Sequence, residues 1–343
     1  MEKRVVHIDQ AKAVGILLVI VGHCYWKGEV PYLNSFIYSF HMPLFFIIAG
    51  VFVKPMELRP ALTKYFKAYL IPYWKVNALC FVMLAIYGLC NGNLTETLYT
   101  FLIRVLFASG SASGTEMFAQ LPIVGAFWFL VALFWGGVFT SYILYRYNRL
   151  QQLLAALSFF ALSYLSVRYV RMPFSLQAGM SSVVFMLAGH YGGFCLRGKS
   201  VPVNGNVYFL VLLMVVTWGY SIMRGGVSVS HCVYYNGLVD AVSALFGSII
   251  FIEMIKRVVP SRWFVWTGAH TLEILSGHQV VLMLLFYVDN PAMKLPPPVW
   301  RGLVVDRKWG TDRDSLCIGS HFVKNYIEEV NHEGNRNCCG NVQ

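Results

Sequence analysis

Six ionisable side chains stand within long apolar runs of this sequence: His23, His41, His190, Asp240, Glu273 and His278. An Asp, Lys or Arg at the centre of a membrane helix costs about 2.5–3.5 kcal/mol on insertion scales, so ionisable groups that persist there need a reason. Neutral imidazole is tolerable at such depth and titrates near neutrality, which suits a general base acting on a hydroxyl. The competing reading for each histidine is a hydrogen bond that packs one helix on another. His190 and Asp240 fit that reading better than His23 does. Glu273 follows His270 by three residues on the same helix face, so an interfacial pair near a helix end explains it. Asp9 directly precedes the first apolar run and reads as a helix N-cap.

Helices must hold these groups. The 343 residues are 57% hydrophobic and 13% charged, half the charge of a soluble domain, which carries about 25%. The apolar residues come in blocks close to the roughly 20 residues that cross about 30 Å of hydrocarbon. The alternation of about 10 residues that marks a barrel strand is absent. Nine spans are predicted, over residues 11–28, 36–53, 68–90, 123–145, 152–167, 174–195, 206–223, 235–255 and 267–289. The apolar run 101–108 is too short to cross alone and reads as interfacial or re-entrant. The expected fold is an all-α polytopic membrane protein, a bundle of nine to ten transmembrane helices occupying residues 1–293. A polar tail over residues 294–343 follows, through Pro296-Pro297-Pro298. It reads as an extracytoplasmic appendage or, the favoured alternative, as an altered end replacing a last helix.

The net charge of +11 sits between the apolar blocks, as in cytoplasmic loops, which argues against nucleic-acid binding. With the N-terminus in the cytoplasm, the inner side receives Lys3, Arg4, Lys54, Arg59, Lys64, Lys67, Arg146, Arg149, Arg197, Lys199, Lys256, Arg257 and Arg262. The outer side receives Arg104, Arg168, Arg171 and Arg224. That asymmetry is the positive-inside pattern. Eight cysteines show no paired spacing, so neither a zinc site nor a disulfide scaffold is supported. The first apolar run lacks a small-residue cleavage site and reads as a retained span. In this topology His23 and His278 lie about 17 Å along their spans, near mid-membrane. His41 lies about a turn and a half below the outer surface, and the short connection between the first two spans makes it a neighbour of His23.

The segment from Arg4 through Ile8-Asp9, Lys12, Gly15 and Gly22-His23 resembles the opening of acyltransferase family 3. That family begins with a basic residue, an Ile-Asp pair, a lysine, and an apolar run ending in Gly-His. Phe40-His41-Met42-Pro43-Leu44-Phe45-Phe46 through Gly50 resembles its second-helix signature. Ala126-Phe127-Trp128-Phe129-Leu130 is similar to its Trp-Phe-Leu segment, and Gly268 to Ile274 followed by His278 to its penultimate-helix pattern. The matches fall in order from residue 4 to about residue 288, and the nearest subgroup resembles the fucose 4-O-acetylase-type enzymes of surface carbohydrate modification. Two departures stand out. The family commonly has ten spans, and it usually carries arginines where this chain has Lys64 and Lys67. Lysine is a point charge without the guanidinium fork.

The resemblance implies an acetyl-CoA-dependent O-acetyltransferase of the plasma (inner) membrane with a cytoplasmic N-terminus. His23 would be its general base, and His41 or His278 would orient that base or steady the tetrahedral oxyanion. Arg59, Lys64 and Lys67 would hold the phosphates of acetyl-CoA, a donor substrate. The acceptor would be a hydroxyl of a carbohydrate or lipid-linked glycan; no metal and no nucleic acid is implied, and membrane lipid surrounds the bundle. The alternative is a multi-span transporter of a small solute or glycan precursor with protonatable groups along its path. Inverted repeats would favour it, and no convincing internal repeat is found. A further alternative is an inactive relic without its final helix.

Overall fold

The computed structural model describes residues 5–24, 31–108, 110, 125–198, 205–224 and 227–288. These residues are almost wholly helical. The chain divides at Met283, and every contact below lies in the unit before that point. The tail expected from residue 294 falls outside the described residues.

Helix α1 (Val6–Cys24) is followed by α2 (Pro31–Val51). A polar helix, α3 (Leu58–Tyr65), runs through a π-helical turn at Phe66–Leu70 into α4 (Ile71–Asn91), and α5 (Leu94–Phe107) packs on α4. Then come α6 (Trp128–Arg146), α7 (Arg149–Ser166), α8 (Leu176–Arg197) and α9 (Gly205–Met223). A two-residue hairpin, β1 (Val227–Ser228) with β2 (Val233–Tyr234), links α9 to α10 (Leu238–Ile255). The described chain closes with α11 (Arg262–Ala269) and α12 (Thr271–Val288).

Nine of these helices have 18 or more residues among the described residues, one at each predicted span. Five stretches are both long and apolar enough to cross a membrane: Val6–His23, Tyr32–Val51, Leu58–Asn91, Gly125–Arg146 and Leu238–Ile255. Their sides that face away from other helices remain apolar, as on α4 (Leu79, Val82, Ile86, Leu89). An apolar exterior is what hydrocarbon, rather than water, solvates.

Several expectations are corrected. Helix α1 starts at Val6, so Asp9 lies inside the first turn and pairs with Lys12 at 2.7 Å instead of capping the helix. The predicted span 267–289 is broken at His270, between α11 and α12. The run 101–108 keeps its reading as too short to cross alone: it ends the 14-residue α5 (Leu94–Phe107), short of the roughly 20 residues of a span.

Glycines bring the central helices together. A Cβ on Gly50 would stand 2.1 Å from the carbonyl oxygen of Met186, and one on Gly189 would stand 2.0 Å from that of Ile47. Helices α2 and α8 therefore meet backbone to backbone, the close approach that small residues permit in membranes. Helix α2 also packs on α1, α6, α9 and α10, so it is the axis of the bundle. At α1, Gly268 of α11 meets the carbonyl of Asp9 so closely that a Cβ would fall 1.8 Å from it. Prolines loosen two helices. Pro43 removes the rung to Ser39, which spans His41, and Pro72 stands in the first turn of α4 just after the π-turn, where the helix absorbs its ring.

Candidate functional site

Helices α1 and α2 run antiparallel. Gly15 faces Phe45, and Gly22 faces Ile37 and Tyr38, whose hydroxyl donates to the Gly22 carbonyl at 3.3 Å. This register puts His23 level with Ile37 and sets His41 about one turn away along α2. Helix α12 supplies the third histidine. His23 Nδ1 and His278 Nε2 are 2.9 Å apart, their rings nearly parallel at 10° with centroids 5.1 Å apart. His41 lies within electrostatic reach of His23. Its Nδ1–H donates to the Ile37 carbonyl at 2.6 Å, and Tyr38 meets its ring edge-on at 5.0 Å. That bond fixes the tautomer, leaving His41 Nε2 as the lone-pair nitrogen. All three predicted histidines are thus gathered at one place.

Their position along the helices differs from the expectation. His23 is seventeen residues past Val6, about 26 Å along α1 and in its last turn, instead of halfway. His41 is the one at mid-helix, about 15 Å from the start of α2.

What holds His278 in place is a residue that sequence reasoning passed over. Gln279 is buried, and its Oε1 accepts a hydrogen bond from the Ala126 backbone N–H at 2.7 Å. The chain reaches that bond through Gly125, whose φ of 71° lies in the left-handed region, and a Cβ there would fall 2.4 Å from Gln279 Oε1. Only glycine satisfies both conditions at low cost. The signal was available: an amide inside an apolar helix, next to a histidine, facing a Gly-Ala pair.

Arg59, Lys64 and Lys67 are exposed and stand well apart from the histidines. The continuous helical stretch Leu58–Asn91 has 34 residues, about 51 Å, so its polar first turns protrude beyond a bilayer core. Lys64 lies over the Tyr65 ring at 4.9 Å, and partial burial followed by the charge of Lys54 lowers its pKa. The same end of the bundle carries Arg197, which donates to the Val51 carbonyl at 2.5 Å, and Lys256, which donates to the Cys195 carbonyl at 2.8 Å. Val51 is fourteen residues from Ile37, so this cation-rich end is about 21 Å from the level of His23.

The remaining candidates have structural partners. His190 Nδ1 donates to the Val53 carbonyl at 3.1 Å, tying α8 to the end of α2. Asp240 is wholly buried and accepts from Ser221 Oγ at 2.8 Å and from the Asn236 backbone N–H at 2.7 Å, which closes the turn before α10. His270 Nδ1 donates to the Trp266 carbonyl at 2.8 Å, and Glu273 is exposed.

A paired imidazole with a third close by, in an apolar bundle with a cationic end, can take a proton from a hydroxyl while an anionic donor is held at a distance. Comparison with curated proteins and with solved structures returns no match. The family model described as an acyltransferase domain matches residues 5–305, a stretch that holds His23, His41, His278, Arg59, Lys64 and Lys67. With that match across most of its length, the chain belongs to acyltransferase family 3.

Proposed function

We propose that this protein moves an acetyl or similarly small acyl group from acyl-CoA to a hydroxyl of a carbohydrate or lipid-linked glycan, with His23 as general base. The observation that carries the proposal is the bond between His23 Nδ1 and His278 Nε2 at 2.9 Å. If His23 Nδ1–H donates in that bond, its Nε2 keeps a lone pair for the acceptor hydroxyl. His278 then orients the base and steadies the imidazolium that forms, as the third member of a catalytic triad does. His41 presents a lone pair at Nε2, so as a neutral ring it accepts a hydrogen bond and does not donate one to an oxyanion. Its role is to accept from a second hydroxyl of the carbohydrate, which orients the acceptor hydroxyl toward His23.

Donor binding falls to Arg59, Lys64 and Lys67, which supply positive charge for the phosphates of acyl-CoA. The roughly 21 Å along α2 between Val51, at the cationic end, and the level of His23 suits a donor anchored by its phosphates, with its thioester at the end of an extended arm. The positive-inside bias supports a cytoplasmic cationic end, where acyl-CoA is made, and the reading adopted is of a plasma (inner) membrane protein. The acceptor class follows the resemblance to the fucose 4-O-acetylase-type enzymes.

The test is coenzyme A release by the detergent-purified protein, followed as free thiol, with an envelope extract as acceptor. Wild type should release coenzyme A only when extract is present, and His23→Ala should lower that rate by about 10²–10⁴-fold. Equal rates in the two proteins would remove His23 from the chemistry.

A further inference from the structure

The β1–β2 turn carries chemistry that the histidine site does not use. Ser228 Oγ lies 2.5 Å and Ser230 Oγ 2.9 Å from His231 Nδ1, and the three side chains are half-buried. The turn does not need these bonds to close, because His231 N–H already donates to the Ser228 carbonyl and Cys232 N–H to the Val229 carbonyl, each at 3.2 Å. A hydroxyl within hydrogen-bond reach of an imidazole is the nucleophile–base pair of acyl transfer. Arg171 enters from the α7–α8 connection, where its Nη1 donates to the His231 carbonyl at 3.3 Å. Ser230, Arg171, Gln177 and Cys232 line one small cavity, so a guanidinium stands beside the place where an oxyanion would develop. The neighbouring thiol does not compete as nucleophile. Burial pushes the Cys232 pKa up to about 11, and its Sγ–H donates to the Val229 carbonyl.

This turn packs on α2, the helix that carries His41. A Cβ on Gly110 would stand 2.4 Å from the Trp128 indole and 2.8 Å from Ser230, so Ser230 and Trp128 press on the same glycine from two sides. Trp128 follows Ala126 by two residues, and Ala126 is bonded to the residue after His278. Helix α6 then runs about 27 Å from Trp128 to Arg146, toward the cationic end. The turn therefore sits at the end of the bundle opposite the donor cations.

We propose that Ser230, with His231 as its base, is a second acyl-accepting centre that holds the acyl group as a seryl ester and delivers it to a hydroxyl acceptor. The proposal rests on the acyltransfer reading above. Ser230 Oγ forms a bond to the carbonyl carbon of the thioester while its proton passes to His231 Nδ1. The C–S bond breaks with its electron pair on sulfur, and the thiolate takes the proton from His231. In the second step a hydroxyl acceptor at this turn, distinct from the one that His23 serves, attacks the seryl ester and gives its proton to His231. The C–O bond to Ser230 breaks, and His231 returns the proton to Ser230 Oγ.

The test uses the full chain in detergent with a p-nitrophenyl ester of a short acyl group, which needs no coenzyme A site. A stoichiometric burst of nitrophenolate is expected, with an acyl adduct that mass spectrometry places on Ser230. Ser230→Ala should abolish burst and adduct, His231→Asn should slow the burst by about 10²-fold or more, and Ser228→Ala should retain the adduct. A folded wild type without an adduct on Ser230, or a burst unchanged in Ser230→Ala, would overturn the proposal. Coenzyme A release is read separately. Release without the adduct leaves the histidine site standing alone, and an adduct without release keeps Ser230 while removing the acyl-CoA donor.

Discussion

At the scale of single residues, the proposed reaction makes His23 and His278 one unit, so their losses should not add. His278→Ala should lower coenzyme A release by about 10-fold to 10²-fold, and the double variant with His23→Ala should be no slower than His23→Ala alone; steady-state rates on the four proteins check this. Gln279→Ala leaves the buried Ala126 N–H without its acceptor, which costs about 1–3 kcal/mol. Gly125→Ala adds a left-handed residue and a clash with the same amide. Both should lower the thermal midpoint in detergent and reduce turnover, with Gly125→Ala the more severe. The three histidines were legible in the sequence because ionisable groups stand out in apolar runs. Gln279 was not, because an amide carries no charge and its partner is a backbone N–H 153 residues away. The depth of His23 was misjudged because the first helix takes in the polar residues before its apolar run, starting at Val6.

At the scale of elements, helix positions followed from hydrophobic block length, while the ends and breaks did not. The break at His270 is invisible to block length because both sides of it are apolar. The π-turn at Phe66–Leu70 is another case. It holds one residue more than an α-turn, so Tyr65 and Tyr73 come close to the phase of residues seven apart and both face inward, Tyr65 near Ser141 and Tyr73 on the Val105 carbonyl. Face assignments counted straight through at 100° per residue fail across it. The α2–α8 contact makes a sharper prediction. Gly189→Leu places a side chain where the Ile47 carbonyl stands and should cost several kcal/mol, an overpacking that cannot relax into a rotamer. Size-exclusion profiles should show aggregated protein for this variant and a single peak for Gly205→Leu, where nothing lies within 4 Å.

At the scale of the whole molecule, the described unit has one cationic end and one end formed by the β1–β2 turn and the start of α6. Cysteines introduced at Lys64 and at Tyr235, both exposed and at opposite ends, should therefore react with a membrane-impermeant maleimide from opposite sides of sealed vesicles. Labelling of both from one side would refute the two-ended arrangement. In the acyltransfer reading, Lys64→Gln with Lys67→Gln should raise the KM for acyl-CoA and leave kcat nearly unchanged, since both act on binding alone. The separation along α2 between the cationic end and the level of His23 has an energetic meaning as well. In the same reading, a donor held at one face and an ester released toward the other would make the process vectorial, with thioester cleavage as its only source of free energy. Ionophores that collapse the proton and potassium gradients of sealed vesicles should then leave coenzyme A release untouched, whereas an exporter driven through protonatable groups would stop.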